Sequence, residues 1–195
     1  MSLRERKKLE AWRSIRAAAA TLFEAHGYEA VSVEEIAAAA NVSRATFFNY
    51  FHSKEAVVTA QDPQDLDEWL DLLKARPETE QLWDSLSEIL LGVAETLRDW
   101  LPTRRRIQRA APSLEATRFD IGHQFFDQLL VWAAGRAADG GQATAVLQCH
   151  LALATNVAAY RLWGDTEDFD DYVDRLREQL AYARPAAAIT SSTAS

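Results

Sequence analysis

Residues 42–55 read Val-Ser-Arg-Ala-Thr-Phe-Phe-Asn-Tyr-Phe-His-Ser-Lys-Glu, and this stretch decides the fold. On a period of 3.6 residues, aromatic side chains lie on one face of a short helix and polar side chains lie on the other. The aromatic face consists of Phe47, Tyr50 and Phe51, and the opposite face of Arg44, Ala45, Phe48, Asn49 and His52. Arginine and asparagine can form bidentate hydrogen bonds with guanine and adenine edges in the major groove of DNA. The stretch therefore predicts a helix that packs by one face and reads bases with the other.

The residues before this stretch complete a helix-turn-helix. Ser32 and Glu35 have the spacing of a capping box, which predicts a helix over residues 34–40. Asn41 suits the turn that follows, because asparagine tolerates unusual backbone angles. An earlier apolar stripe predicts a longer first helix that ends at Gly27. Three helices in this order form a small domain that can place its last helix in the major groove.

Residues 9–55 resemble the DNA-binding domain of the TetR family of bacterial transcriptional regulators. The resemblance rests on the fixed order of ATLF at 20–23, HGY at 26–28, VSVEEIA at 31–37, NVS at 41–43 and TFFNYFHSKE at 46–55. The family usually has Tyr where Phe48 stands, so a phenolic contact with a phosphate is replaced here by packing on a thymine methyl or a sugar. The family also often has Gly where Asn41 and Ala45 stand, and asparagine is an easy substitute in a turn.

The predicted DNA-binding residues form two groups, because base contacts specify a sequence while phosphate contacts position the protein. The base-reading group is Arg44, Thr46, Phe48 and Asn49. The phosphate-holding group is Ser32, Ser43, His52 and Lys54. A basic cluster at Arg4, Arg6, Lys7 and Lys8 precedes the first helix. This cluster either neutralises phosphates or is a solvated tail.

Charge and composition agree with this organisation. The chain has 195 residues, is 48% apolar and contains seven Gly and five Pro, which predicts an all-α fold. Its net charge of −8 is concentrated after residue 55: residues 1–55 carry eight Lys or Arg and seven Asp or Glu, and the rest carry 13 and 22. Phosphate contact depends on the local charge, so a DNA-binding role remains compatible with the total.

We expect a helix-turn-helix domain at 1–55, a helical ligand-binding and dimerisation bundle at 56–184, and a disordered tail at 185–195. No uninterrupted apolar run reaches about 18 residues and no secretion signal is recognisable, so we expect a cytoplasmic protein without a membrane partner. The single cysteine, Cys149, excludes an internal disulfide and is expected to be packed.

The last two long helices, predicted over about 142–163 and 166–183, are expected to form a homodimer surface. The candidate interface residues are Leu147, Leu151, Ala154, Ala158, Phe169, Val173, Leu176 and Leu180. The resemblance implies that this pair builds a four-helix bundle with its symmetry mate. The alternative is that both apolar stripes only close the core of one chain.

A small-molecule pocket is expected among the central helices. Its candidate residues are Trp83, Trp100, His123, Phe126, Asn156 and Tyr160. Aromatic residues at helical spacing more often form plain core, and a neighbouring backbone group can equally satisfy the Asn156 amide. The motifs at 47–55, 75–77 and 82–83 resemble a branch of the family associated with acyl-CoA-like effectors. The run Arg104–Arg106 could then meet a CoA phosphate or could be a solvated helix face.

These observations favour a homodimeric, ligand-responsive regulator, most simply a repressor that leaves a palindromic operator when its effector binds. A second hypothesis is a DNA-binding regulator whose C-terminal domain binds a protein and no small molecule. An enzyme is not expected, because the chain has neither a Gly-x-Ser-x-Gly elbow nor a phosphate-binding glycine loop. Asp120, His123 and Asp127 share a helical spacing that could hold a metal, but we expect no cofactor and no metal.

Overall fold

The computed structural model describes residues 2–114, 123–137, 140–164 and 166–192, and all regular structure within these ranges is helical. The all-α prediction is therefore confirmed. The helices are α1 (Leu3–His26), α2 (Val33–Ala39), α3 (Arg44–Phe48), α4 (Lys54–Thr59), α5 (Asp65–Lys74), α6 (Leu82–Thr96), α7 (Leu101–Ala110), α8 (His123–Arg136), α9 (Gln142–Leu162) and α10 (Phe169–Ser192), with a 3-10 turn at Pro112–Leu114.

The chain divides into two compact units. The N-terminal unit comprises Met1–Pro63 and Asp99–Arg118, and the C-terminal unit comprises Gln64–Arg98 and Phe119–Ser195. The N-terminal unit thus combines α1 to α4 with the later helix α7. The functional boundary expected at residue 55 stays a prediction.

Serine side chains start the first four helices. The Oγ atoms of Ser2, Ser32, Ser43 and Ser53 each accept a backbone N–H from the first turn of the helix that follows. These bonds satisfy donors that a helix start leaves without an intrahelical partner. The predicted capping box of Ser32 and Glu35 is present in full, and it lowers the pKa of Glu35 because the Ser32 backbone N–H donates to the ionised carboxylate.

Two residues with positive φ end α1 and α2. Gly27 has φ +82° after α1, and Asn41 has φ +54° after α2. Glycine meets no Cβ clash in this region, and asparagine is among the side chains most tolerant of it. The Val42 N–H then donates to the Ala37 carbonyl at 2.9 Å. This tight turn is the one that the sequence predicted between the two helices.

The core of the N-terminal unit joins α1 to the aromatic face of α3. The ring of Phe51 lies 5.2 Å from that of Trp12 and 5.8 Å from that of Phe47, measured between centroids. Ile107 and Leu114, from α7 and the turn after it, belong to the same buried cluster. The segment around α7 is therefore part of this core.

A buried carboxylate ties α1 to the residues that follow α4. Asp62 is 6% exposed and accepts a hydrogen bond of 2.6 Å from the Arg13 Nε, and the Arg16 Nη2 lies 3.6 Å away. The Arg16 guanidinium also lies over the indoles of Trp12 and Trp100, at 4.3 and 4.6 Å. Cation–π contacts of this kind strengthen as the charge is withdrawn from water.

The C-terminal unit is a bundle in which α10 packs on α6 and α9, while α8 packs on α5 and α9. Trp69 is completely buried, stands edge-on to Phe125 at 5.1 Å and donates its indole N–H to the Thr96 Oγ1 at 2.7 Å. The helix α10 continues to Ser192, although we expected a disordered tail after residue 184. The segment is rich in alanine, which has the highest helix propensity. No described helix has the length and apolar character needed to cross a bilayer.

Candidate nucleic-acid interface

The helix α3 presents two unlike faces. Phe47, in α3, and Phe51, three residues after its end, are buried in the core that includes Trp12 of α1. Arg44 and Asn49, the residue that caps the C-terminus of α3, are exposed, and Phe48 is 41% exposed. The burial pattern agrees with the periodicity of the sequence. A helix anchored in this way can enter a major groove with its polar side forward.

Arg44 is held by two neighbours. Its Nε donates to Glu34 Oε1 at 2.6 Å, and its guanidinium carbon lies 4.8 Å from the centroid of the Phe48 ring. The first contact joins α3 to α2, and the second lies within α3. Sequence reasoning did not single out Glu34, because a contact across the turn leaves no periodic signal in the sequence.

The hydroxyls of the predicted DNA-binding serines also serve as helix caps. The Ser43 Oγ accepts the Thr46 N–H at 3.0 Å and lies 2.8 Å from the Thr46 Oγ1. The Ser32 Oγ donates to the Glu35 carboxylate at 2.7 Å and accepts the Glu35 N–H at 3.2 Å. These caps orient the first turns of α2 and α3, which are the turns expected nearest to DNA.

Lys54 is half-buried, and its ammonium contacts the loop after α1. The Nζ donates to the carbonyl oxygens of Tyr28 and Val31, at 2.8 and 3.0 Å, and lies 4.2 Å from the centre of the Tyr28 ring. The Tyr28 hydroxyl donates to Glu55 Oε1 at 2.7 Å, and this bond lowers the pKa of Glu55. The pKa of Tyr28 is raised, first by burial and then by its hydrogen bond to the Glu55 carboxylate. His52, by contrast, is exposed.

A groove of about 300 Å³ lies beside the end of α3. It is lined by Arg4, Lys7, Lys8, Asn49 and Tyr50. The basic cluster is helical, because α1 begins at Leu3. Three cations thus share one groove with a predicted base-reading residue, and cations at a helix N-terminus are electrostatically unfavourable for the helix itself. Such a concentration of positive charge suits a phosphate.

The predicted ligand-binding residues have partners in several parts of the chain. Trp100 belongs to the N-terminal unit and stacks on Arg16, and Trp83 donates its indole N–H to the Leu180 carbonyl at 3.2 Å. Phe126 meets the ring of His150 edge-on at 5.0 Å. The side chain of His123 lies outside the described residues.

Asn156 and Tyr160 lie in an aromatic cluster between α9 and α10. Asn156 is 3% exposed, and its Oδ1 accepts a hydrogen bond of 2.7 Å from the hydroxyl of Tyr172. Tyr160 stands edge-on to Tyr172 and Trp163, both at 6.3 Å. The Asn156 amide oxygen therefore has a side-chain partner, where the sequence hypotheses named a ligand or a backbone group.

The eight predicted dimer residues divide by exposure. Those on α10 are buried inside the C-terminal unit, namely Phe169, Val173, Leu176 and Leu180. On α9, Leu147 is 52% exposed, Ala154 is exposed, and Leu151 and Ala158 are half-buried. A buried side chain has almost no area left for a partner to cover. The four residues of α10 therefore belong to the core of one chain.

Three other candidate sites remain, namely the Cys149 thiol, the possible metal ligands and the run Arg104–Arg106. Cys149 is buried, and desolvation raises the pKa of its thiol to about 12, so it is not a reactive thiolate at neutral pH. Of the possible metal-binding trio, Asp120 and the side chain of His123 lie outside the described residues. Arg104 and Arg105 are buried, whereas Arg106 is 61% exposed and pairs with Glu24 at 2.6 Å, so only the last residue of this run is solvated.

Known proteins resemble this chain in sequence and in fold. The family described as bacterial regulatory proteins, tetR family, matches residues 15–60. The candidate mycofactocin biosynthesis transcriptional regulator MftR of Mycobacterium tuberculosis (strain ATCC 25618 / H37Rv) is 31% identical over 150 residues, which cover 73% of this chain and 74% of MftR. The A-factor receptor protein of Streptomyces griseus is 37% identical over 57 residues, covering 29% of this chain and 21% of the receptor.

A solved structure shares the fold. The transcriptional regulator of the TerR/AcrR family from Aquifex aeolicus VF5 superimposes with a TM-score of 0.52 at 18% identity, covering 88% of this chain and 98% of its own. At this identity the structural match concerns the fold alone, whereas the sequence similarity to MftR extends over most of both chains. The chain therefore belongs to the TetR family of bacterial transcriptional regulators, which are DNA-binding helix-turn-helix proteins and not enzymes.

Proposed function

We propose that this protein is a homodimeric repressor that binds a palindromic operator through α3 and is released by a small hydrophobic effector. The observation that carries the proposal is the division of α3 and the residues directly after it: Phe47 and Phe51 are buried, whereas Arg44, Phe48 and Asn49 are exposed. A helix with this construction has a fixed position and free hydrogen-bonding groups, which are the two requirements of base readout.

The predicted contacts with DNA follow from this orientation. Arg44 is matched to guanine, Asn49 to adenine and Phe48 to a thymine methyl, with Thr46 beside them. Phosphate contacts come from Ser32, Ser43, His52 and Lys54, and the groove formed by Arg4, Lys7 and Lys8 adds a phosphate site at the edge of α3. Since Lys54 already bonds two carbonyl groups, its phosphate contact uses its remaining N–H.

The exposed side of α9 supports homodimerisation. Val146 is 39% exposed, Leu147 52% and Leu162 56%, and Ala143 and Ala154 are exposed on the same helix. Small and apolar side chains along a helix allow another helix to approach closely and bury that area. A second copy would supply two DNA-reading helices about 34–36 Å apart, one turn of B-DNA.

The effector is expected in the C-terminal unit. The relative in Streptomyces griseus is named as a receptor for A-factor, which supports a small-molecule signal for this chain. A CoA phosphate has poor access to Arg104 and Arg105, because both are buried. A hydrophobic effector without a nucleotide is therefore preferred to an acyl-CoA. Its binding releases DNA only if it favours the state with low operator affinity.

The test is selection of purified protein on randomised duplex DNA at near-physiological salt. The expected result is an enriched palindrome with half-sites about one helical turn apart. Arg44→Ala should lose the base preference at one position in each half-site while retaining non-specific binding. A wild-type protein that enriches no sequence, before and after refolding to remove co-purified molecules, would contradict the proposal.

The selected operator then serves to test the effector. A-factor and palmitoyl-CoA are added separately to the protein–operator complex, and the dissociation constant is measured. Release by A-factor with no response to palmitoyl-CoA would support a hydrophobic effector without a nucleotide. Release by palmitoyl-CoA would instead restore the acyl-CoA hypothesis.

A further inference from the structure

Glu34 lies in an unusual position for a DNA-binding surface. It is the second residue of α2, directly after Val33, and its side chain is 62% exposed. Its neighbour Glu35 completes the capping box with Ser32, whereas Glu34 takes no part in that cap. The first helix of a helix-turn-helix crosses the DNA backbone, where a carboxylate repels phosphates. Its place in the first turn of α2 suits the positive end of the helix dipole, but its side chain also reaches across the turn to α3.

Its partner is the predicted guanine-reading residue. Arg44 is the first residue of α3, at the positive end of the helix dipole, where a cation is disfavoured. The Glu34 carboxylate compensates this charge and binds Nε at 2.6 Å, while the Phe48 ring supports the guanidinium carbon at 4.8 Å. The guanidinium plane is thus held at Nε by the Glu34 carboxylate and on one face by the Phe48 ring.

This arrangement leaves the terminal nitrogens of Arg44 to face a base. A guanidinium has five N–H donors, and the contact with Glu34 uses the one on Nε. The four N–H groups on the two Nη atoms remain in the plane and can form the bidentate contact with guanine O6 and N7. At the same time the Glu34 charge weakens the attraction of Arg44 to any phosphate that happens to be near.

We propose that Glu34 is a specificity-determining residue that acts through Arg44. It positions the guanidinium for a guanine and suppresses phosphate contacts that are independent of sequence. The inference rests on the proposed DNA-binding function and assigns a new residue to it. The Glu34 and Arg44 side chains are 62% and 64% exposed, so the ion pair contributes little to folding, and its removal should leave the fold intact.

The test compares Glu34→Gln with the wild-type protein on the selected operator and on a scrambled duplex of equal length. Non-specific binding should tighten, and the ratio of the two dissociation constants should fall by about two- to fivefold, the range open to an exposed ion pair. The salt dependence on scrambled DNA should steepen by about one unit, because Arg44 becomes available to one phosphate. The melting temperature should fall only slightly, because both side chains of the ion pair are mostly exposed.

Glu24→Gln is the matched control. It removes the same charge from an exposed carboxylate of the same unit, which pairs with Arg106 at 2.6 Å and has no contact with Arg44. This variant should retain the wild-type ratio. An equal loss of specificity in both variants would show that net charge alone is responsible, and would overturn the role of Glu34.

A double-mutant cycle with Arg44→Ala tests whether the effect passes through Arg44. In the Arg44→Ala background, Glu34→Gln should leave the specificity ratio unchanged. The same loss in both backgrounds would overturn the inference, because it would show direct repulsion of DNA. If the wild-type protein selects an operator but Glu34→Gln keeps its ratio, only this inference fails; if the wild-type protein selects nothing, the proposed function itself fails.

Discussion

The Nζ of Lys54 donates a hydrogen bond of 2.8 Å to the carbonyl oxygen of Tyr28, which binds the first residue of α4 to the loop after α1. A second bond reaches the Val31 carbonyl at 3.0 Å. A residue expected to hold a phosphate therefore also supports the unit that carries the DNA-reading helix. Loss of Lys54 should affect both stability and binding.

We predict that Lys54→Met lowers the unfolding free energy by about 1–3 kcal/mol, because two carbonyl groups lose a charged donor. Urea denaturation followed by circular dichroism measures this loss. Operator affinity should also weaken for all sequences alike, with a salt slope reduced by about one unit. A stability equal to that of the wild type would show that the carbonyl contacts contribute nothing.

The groove beside α3 is expected to bind phosphate. Lys7→Gln combined with Lys8→Gln should reduce the salt slope of operator binding by roughly two units, since each contact releases about one counterion. Stability should be unchanged or slightly higher, because two cations leave a helix N-terminus. Arg6→Gln is the control from the same helix end, since Arg6 faces Glu10 at 3.6 Å. Equal slopes in the double variant and the wild type would leave the groove without a role.

Leu147 and Leu176 should respond differently to the same substitution. Leu147→Glu changes a side chain that is 52% exposed, so the chain should fold and sediment as a monomer. Leu176→Glu places a charge at a fully buried position and should unfold the C-terminal unit. Sedimentation velocity with circular dichroism separates these outcomes. A Leu147→Glu variant that is folded and still dimeric would show that this part of α9 does not form the interface.

Tyr172→Phe tests the buried polar pair between α9 and α10. Its hydroxyl donates to the Asn156 Oδ1 at 2.7 Å, and its loss leaves a buried acceptor unpaired at a cost of about 1–3 kcal/mol. Chemical denaturation should show this loss, while Tyr182→Phe, at a position 86% exposed, should show none. Wild-type stability in Tyr172→Phe would indicate that Asn156 finds another donor, such as water.

The capping box of α2 should make stability depend on pH in the acidic range. The Ser32 backbone and hydroxyl lower the pKa of Glu35 below its ordinary value of 4.5. The ionised form is therefore favoured in the folded state, so its contribution is present above pH 4.5 and is lost as the pH falls through the lowered pKa. Thermal melts of the wild type and Glu35→Gln from pH 7 to 3 should differ most at neutral pH and converge on acidification. A constant difference across this range would contradict the role of the ionised carboxylate.

Local features of the N-terminal unit were predictable from sequence. The Ser32 capping box, the left-handed Asn41 and the end of α1 at Gly27 each depend on a few adjacent residues with strong conformational preferences. The aromatic face of α3 follows from helical periodicity alone. These signals are local, so no knowledge of the rest of the chain was needed.

The predictions for the C-terminal residues depended on contacts between distant segments. The stripe of Leu176 and Leu180 on α10 has the same period whether it meets a second chain or its own core. Likewise, a tryptophan such as Trp100 has no sequence signal that distinguishes a pocket from a stack on Arg16. The pair of Glu34 and Arg44 was missed for the same reason, since it forms only when the turn brings α2 and α3 together.

The insertion of Ile107 and Leu114 into the core around Trp12 and Phe51 has a consequence for folding. Contacts between residues so far apart in sequence raise the contact order, and loop closure over the intervening segment slows their formation. During synthesis the first 63 residues emerge without these apolar partners, and their core is completed only when α7 has left the ribosome. A fragment that ends at Pro63 should for the same reason expose apolar surface that Ile107 and Leu114 cover in the whole chain.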